Sequence, residues 1–208
     1  MEIEYYGGNC LRISAKKASL VIDDNLETLG LKSITKKDDI VMFTGAYVAP
    51  TTEVKLAIDQ PGEYEVSGVS IQGVAARSHT DEPTKLSATV YKLIVDDVRI
   101  VVAGHIYPEL DDSQLEALGT VDVLIIPVGG NGYTLDPVGA LEIIKKIEPK
   151  LVIPTHYDDK KVKYPVPQQE LTTVLKELSI EVKETTTKLK LKLADLTDTT
   201  QLVVLERQ

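Results

Sequence analysis

Histidine and cysteine are scarce in this chain, and that scarcity is the first limit on its chemistry. A single cysteine, Cys10, excludes an intramolecular disulfide and a structural zinc site of the Cys type. A reducing cytoplasm is therefore the expected compartment. The three histidines, His79, His105 and His156, set the ceiling on imidazole-based metal or acid–base chemistry. Basic residues are outnumbered as well. Lys+Arg is 23 against Asp+Glu 32, a formal net charge of -9, which argues against nucleic acid as a partner. No apolar run reaches membrane-spanning length, and Met1-Glu2-Ile3-Glu4 lacks signal-peptide character. No membrane partner is expected. There is no long Gly/Ser linker, no repeat of fixed period and no low-complexity tract, so one domain over residues 1–208 is expected.

What is present reads as an ordinary globular chain, 43% hydrophobic and 26% charged. The first hundred residues read mostly as strand. Ile3 and Tyr5 alternate with glutamates, Leu11 and Ile13 with Arg12 and Ser14, and Leu56 with Val54 and Ile58 at period two. Leu20-Val21-Ile22 and Ile40-Val41-Met42-Phe43 are short continuous apolar runs, the pattern of strands covered on both faces. Pro61-Gly62 marks a turn into a strand, and Asp96-Asp97 joins two strands as a hairpin.

After residue 108 the period changes. Ser113-x-x-Glu116 has capping-box spacing for a short helix that Gly119 can end. Val121–Val128 is a buried strand. Asp136-Pro137 opens a helix whose Ala140, Ile143, Ile144 and Ile147 share one face. Leu151-Val152-Ile153 is the next strand, and Leu171, Val174, Leu175 and Leu178 mark another helix. The segment 180–208 returns to strand, with Lys188–Leu193 read as a half-buried edge strand whose lysines discourage edge pairing. Strands, then strand–helix–strand–helix, then strands indicate a mixed α/β (α+β) domain of two sheets flanked by helices.

Several strings, in order, resemble the metallo-β-lactamase fold superfamily, in its ascorbate-6-phosphate lactonase-like bacterial branch. They are Tyr6-Gly7-Gly8-Asn9-Cys10-Leu11-Arg12-Ile13, Val21-Ile22-Asp23, Asp39–Thr44, Pro61–Val66, Val121–Gly130 with Asp136-Pro137, and Ile153-Pro154-Thr155-His156-Tyr157. The likeness is strongest over 1–158. It implies a four-layer αββα sandwich and a metal-dependent hydrolase site in which a metal-bound water is the nucleophile.

The departures from that pattern are specific. Where the family carries His-x-His-x-Asp-His, this chain has Gly45, Tyr47, Ala49 and Pro50. Gly8 replaces a further family histidine. By the same resemblance, His79, His105 and His156 fall at metal-ligand positions, His105 standing where the family has a bridging aspartate.

Two readings remain open. In one, His79, His105 and His156 hold one Zn (or Mn/Fe) ion, with Asp81, Asp158 or Asp159 orienting an imidazole, and the chain is a mononuclear hydrolase of a small ester, lactone or phosphoester. In the other, which the depleted ligand set favours, no metal is held. The chain is then a catalytically weak or inactive pseudoenzyme that binds a small molecule or protein partner, and Tyr47 fills space a metal has left. A structural subunit of a homo-oligomer, assembled through 180–208, is a further alternative. Cys10 is expected to be a buried small hydrophobe, Asp23 a loop-orienting residue, and Gly129-Gly130-Asn131-Gly132 a permissive loop and not an anion site.

Overall fold

The computed structural model describes residues 1–208. Alternation in β1 (Glu2–Gly7) sends Ile3 and Tyr5 into the core, and β2 (Cys10–Ser14) does the same with Leu11 and Ile13. These pair antiparallel through the Gly7–Gly8–Asn9 turn. β3 (Ser19–Ile22) follows antiparallel, then β4 (Ile40–Met42) and β5 (Leu56–Ile58) add in parallel. Leu20, Ile22, Ile40, Met42 and Ile58 complete the inner face of this first sheet.

The second sheet starts with a meander: β6 (Gly62–Val66), β7 (Val69–Ala76), β8 (Ala88–Val95) and β9 (Val98–Val102). Asp96 and Asp97 make the expected hairpin, both at positive φ (48° and 66°), the conformation of a primed two-residue turn. β10 (Val123–Pro127) and β11 (Leu151–Thr155) continue the sheet in parallel. Every residue of both is buried, as their unbroken apolar runs require.

Three helices serve this second sheet. α1 (Asp112–Leu118) begins two residues earlier than its Ser-x-x-Glu spacing predicts. Asp111 is the N-cap and forms the capping box with Gln114. An aspartate oxygen is an equally good acceptor there, and the Gln114 side chain also reaches the Ala75 carbonyl at 2.7 Å, fixing α1 to β7. α2 (Pro137–Ile147) is capped by Asp136 with Pro137 in the first turn, and buries Ala140, Ile143 and Ile144. α3 (Leu171–Leu178) packs on α2 through Val174 and Leu178.

The 180–208 segment stitches the two sheets together. β12 (Val182–Thr186) is the outer strand of the second sheet, β13 (Leu189–Lys190) pairs with β1 at the edge of the first, and β14 (Gln201–Leu205) lies between β11 and β12. Leu202–Leu205 is core, so this segment is integral to the domain. The expected edge strand is β13. Lys188 reaches Glu2 and Glu4 (3.3 and 3.1 Å), and Lys190 reaches Glu2. The sheets number six and eight strands and share one core.

The αββα plan is present with one thin layer. Over the outer face of the first sheet lies no α-helix but a 3₁₀ turn, Leu26–Leu29, and the loop to Asp39. Leu26 packs there on Cys10 and Val21. Arg12, also on that face, makes a bidentate pair with Asp39 (2.9 and 2.9 Å) and donates to the Ile34 carbonyl (2.6 Å) and to Ser19. The pair is buried on both sides and pins the loop to the sheet.

Candidate functional site at the strand ends

The stretch that should deliver metal ligands leaves β4 at Phe43. Thr44 donates its N–H and hydroxyl to the two oxygens of Asp23 (2.7 and 2.6 Å), and its carbonyl accepts from Thr89 N–H (2.8 Å). One buried threonine thus joins the ends of β3, β4 and β8. Burial pushes the Asp23 carboxyl up to about 6, against the opposing pull of the Thr44 bonds. Asp23 orients the loop, as the sequence suggests.

Beyond Thr44 the chain has no donor of the family kind. A side chain on Gly45 would meet no neighbour within 4 Å. Tyr47 is 49% exposed and stands edge-on to Phe43 at 5.2 Å, so it does not fill the histidine pocket as expected.

The histidines come from three other strand ends. Gly104, at φ +62°, turns the chain after β9, and a Cβ there would run into Thr44. His105 follows, and its carbonyl accepts from His79 N–H (2.8 Å) where Ser78 and Ile106 bridge. His156 follows β11 at φ +58°, an uncommon conformation for a non-glycine residue. Its N–H donates to the Gly8 carbonyl (2.9 Å) and the neighbouring Thr155 hydroxyl to Asn9 Oδ1 (3.0 Å). The β1–β2 turn therefore holds the His156 backbone in place.

The His105 and His156 rings meet edge to face with centroids 4.7 Å apart. Tyr133 lies 5.0 Å from His105 and 5.7 Å from His156, and Tyr164 lies 4.7 Å from His156. His79 meets His105 through the main chain, and its ring lies 6.3 Å from Tyr107. Burial drives His105 down to about 3, aided by the charge of His156 and opposed by the Tyr133 main chain. Burial likewise takes His156 down to about 4. Both rings are neutral at pH 7.

Gln168 sets the His156 tautomer. Its amide nitrogen donates to the Val166 and Pro167 carbonyls (2.9 and 3.3 Å), which leaves Oε1 to accept from His156 Nδ1 (3.0 Å). The lone pair is then on Nε2. The expected carboxylates do not play this part. Asp81 is bound by the Ser78 and Ser87 N–H groups, the Ser87 hydroxyl and Lys85, which hold its pKa well below the carboxylate range. Asp159 is taken by Arg207 and the Lys161 N–H. Asp158 makes no bond to an imidazole; its N–H donates to the Gln169 carbonyl.

Sequence reasoning missed Tyr133, Tyr164 and Gln168, which lie in no motif string, and a tyrosine or glutamine in a loop carries no spacing signal. It gave no role to Thr44, the last residue of the Asp39–Thr44 string. Cys10 is buried with its thiol pushed well above the ordinary range, an inert group as expected. In the Gly129–Gly132 loop, the Gly130 N–H is spent on the Leu135 carbonyl, the Gly129 carbonyl accepts from Gln169 and the Asn131 amide is spent on Pro167.

The donor set decides what metal chemistry fits. All four side chains of the family's main ligand motif are non-ligating or turned outward. No three His, Cys, Asp or Glu side chains of the chain converge where they could share a metal ion. Three histidines come to one end of the sandwich, but only His105 and His156 stand ring against ring. The residues present do not fit a binuclear centre. One feature points the other way: Nδ1 of His79 and Nδ1 of His105 are buried without a partner.

Known proteins share this architecture. The profile of the beta-lactamase superfamily domain matches residues 2–156. A UPF0173 protein of Pyrococcus abyssi is 29% identical over 179 residues, covering 76% of this chain and 83% of its own. A UPF0173 metal-dependent hydrolase of Thermococcus onnurineus is 34% identical over 101 residues, 47% of this chain and 44% of that protein. Relatives thus include archaeal proteins. A crystal structure from Thermotoga maritima, described as a Zn-dependent hydrolase of the metallo-β-lactamase superfamily, superposes with a TM-score of 0.76 at 24% identity over 99% of this chain and 100% of that one. This chain belongs to the beta-lactamase superfamily domain family, and its fold is that of the metallo-β-lactamases.

Proposed function

We infer that this chain is a catalytically weak or inactive member of its family, a pseudoenzyme that binds a small molecule or protein. The observation that carries this reading is the replacement of four ligand side chains by Gly45, Tyr47, Ala49 and Pro50, with a packed imidazole–tyrosine cluster around His105 and His156. Two neutral rings packed against tyrosines stabilise one another without a cation. An Asp-to-His exchange at 105 also removes the carboxylate that would bridge two metals.

The comparisons favour a second reading over the first, because relatives carry the name metal-dependent hydrolase. In that reading the chain is a one-metal hydrolase of a small ester, lactone or phosphoester, the form the sequence suggests. The orphaned Nδ1 atoms of His79 and His105 and the free Nε2 of His156 are three imidazole donors of the kind zinc takes.

The test is turnover of a nitrophenyl ester, a lactone and a nitrophenyl phosphodiester with added zinc or manganese. The pseudoenzyme reading expects rates indistinguishable from those of His79→Ala. Metal-dependent turnover that His79→Ala abolishes selects the second reading.

A further inference from the structure

Away from the histidines, two adjacent carboxylates are buried with no counter-charge. Asp39, Asp81 and Asp122 are buried too, but each faces a cation: Arg12, Lys85 and Arg99 respectively. Asp23 and Asp24, at 6% and 7% exposure, face none. Asp24 is the more unusual of the two. Its Oδ2 accepts from the Ser33 hydroxyl, the Ile34 and Thr35 N–H groups and the Thr35 hydroxyl (2.8, 2.9, 2.8 and 2.6 Å). Its Oδ1 is buried and has no partner at all.

The next residue repeats the pattern. Asn25 Oδ1 is also buried and unpartnered. Both residues line a cavity of about 70 Å³ together with Glu27 and Thr28, and its far wall includes Ala49 and Pro50. Every orphan atom here is an oxygen acceptor, and the nearby charge is negative. Water alone can donate to both oxygens but leaves the Asp24 charge uncompensated. A hard cation answers both needs, because it takes carboxylate, amide and hydroxyl oxygens together and keeps waters to complete its shell. No lysine, arginine or histidine forms an ion pair with Asp24 to compete for the place.

We propose that Asp24 and Asn25, with Glu27, form a calcium-binding site between the Leu26–Leu29 turn and the Val48–Thr51 loop. The ion braces the loop that has lost its histidines, on the side of the sheet where no helix covers it. The ligand is calcium by size and softness. Magnesium demands near-octahedral geometry and sheds water reluctantly, and zinc prefers nitrogen and sulfur.

The experiment is thermal unfolding of the full chain, stripped of metal, titrated with calcium chloride, and repeated with magnesium and zinc. The expected result is a saturable rise in Tm with calcium and a much smaller one with magnesium. Asn25→Ala and Glu27→Gln remove no hydrogen bond found in the fold, and each weakens apparent calcium affinity by about tenfold or more. Asp24→Asn abolishes the response, but it also touches the loop bonds, so the two milder variants decide. No calcium-dependent shift in the wild type, an equal shift with magnesium, or a calcium response undiminished in both variants overturns the proposal.

Discussion

His105 and His156 stand edge to face, ring centroids 4.7 Å apart. Their burial has a pH consequence. Both folded-state pKa values, about 3 and about 4, lie below the unfolded value of about 6.5 for histidine. The unfolded chain therefore binds more protons than the folded one between those limits. Stability is untouched above pH 6.5 and falls as pH drops toward 4, by up to roughly 1.4 kcal/mol per pH unit for each histidine. Asp23, raised to about 6, acts in the opposite sense, since its protonated form suits the fold. Denaturant titrations from pH 8 to 5 should show a net loss in the wild type. A His105→Gln variant should show a shallower slope, and Asp23→Asn a steeper one, because the offsetting group is gone. Parallel slopes in all three proteins contradict the assignment.

The buried Arg12–Asp39 pair holds the loop over the first sheet. Arg12→Met leaves Asp39 uncompensated at 3% exposure and should cost about 3–5 kcal/mol. The double change Arg12→Met with Asp39→Asn should recover part of that loss. Chemical denaturation of the three proteins measures it, and an additive double variant would show the pair to be uncoupled.

Gly104 admits His105 to the site. At φ +62°, Gly104→Ala pays about 1–2 kcal/mol for a left-handed backbone and must also displace Thr44. Because Thr44 carries Asp23 and Thr89, the variant should lower Tm well beyond Gly132→Ala, another positive-φ position (+71°) with nothing near its Cβ. Equal losses at the two positions would show that the Thr44 contact carries no weight.

Grafting the lost donors tests the descent directly. Gly45→His, Tyr47→His, Ala49→Asp, Pro50→His and His105→Asp together restore the family's donor types at their positions. Gly45 has open space around it, and Tyr47 is half-exposed, so neither change crowds the core. The grafted chain should take up zinc, read by competition with a chromophoric chelator, while the parent does not. Equal uptake by both proteins would show that the parent site is already competent.

Much of the architecture was legible because it rests on period and punctuation. Alternation in β1 and β2, unbroken apolar runs in β10 and β11, and Asp136-Pro137 all signal locally what they become. The α1 cap was misplaced by two residues because Asp111 and Ser113 are both good caps and only the Gln114 contact with Ala75 selects one. The poverty of the Gly45–Pro50 stretch was legible, since Gly, Ala and Pro side chains ligate nothing in any geometry. The surroundings of the histidines were not legible. Tyr133, Tyr164 and Gln168 reach the histidines only through tertiary packing, and Tyr47, placed by resemblance at a ligand position, stands edge-on to Phe43 instead.

Elemental analysis of protein purified without chelator or added metal tests the central claim most directly. This account predicts zinc, manganese and iron all far below stoichiometry, whatever the calcium content. A single one of those transition metals approaching one ion per chain, and lost on His105→Ala or His156→Ala, would contradict it.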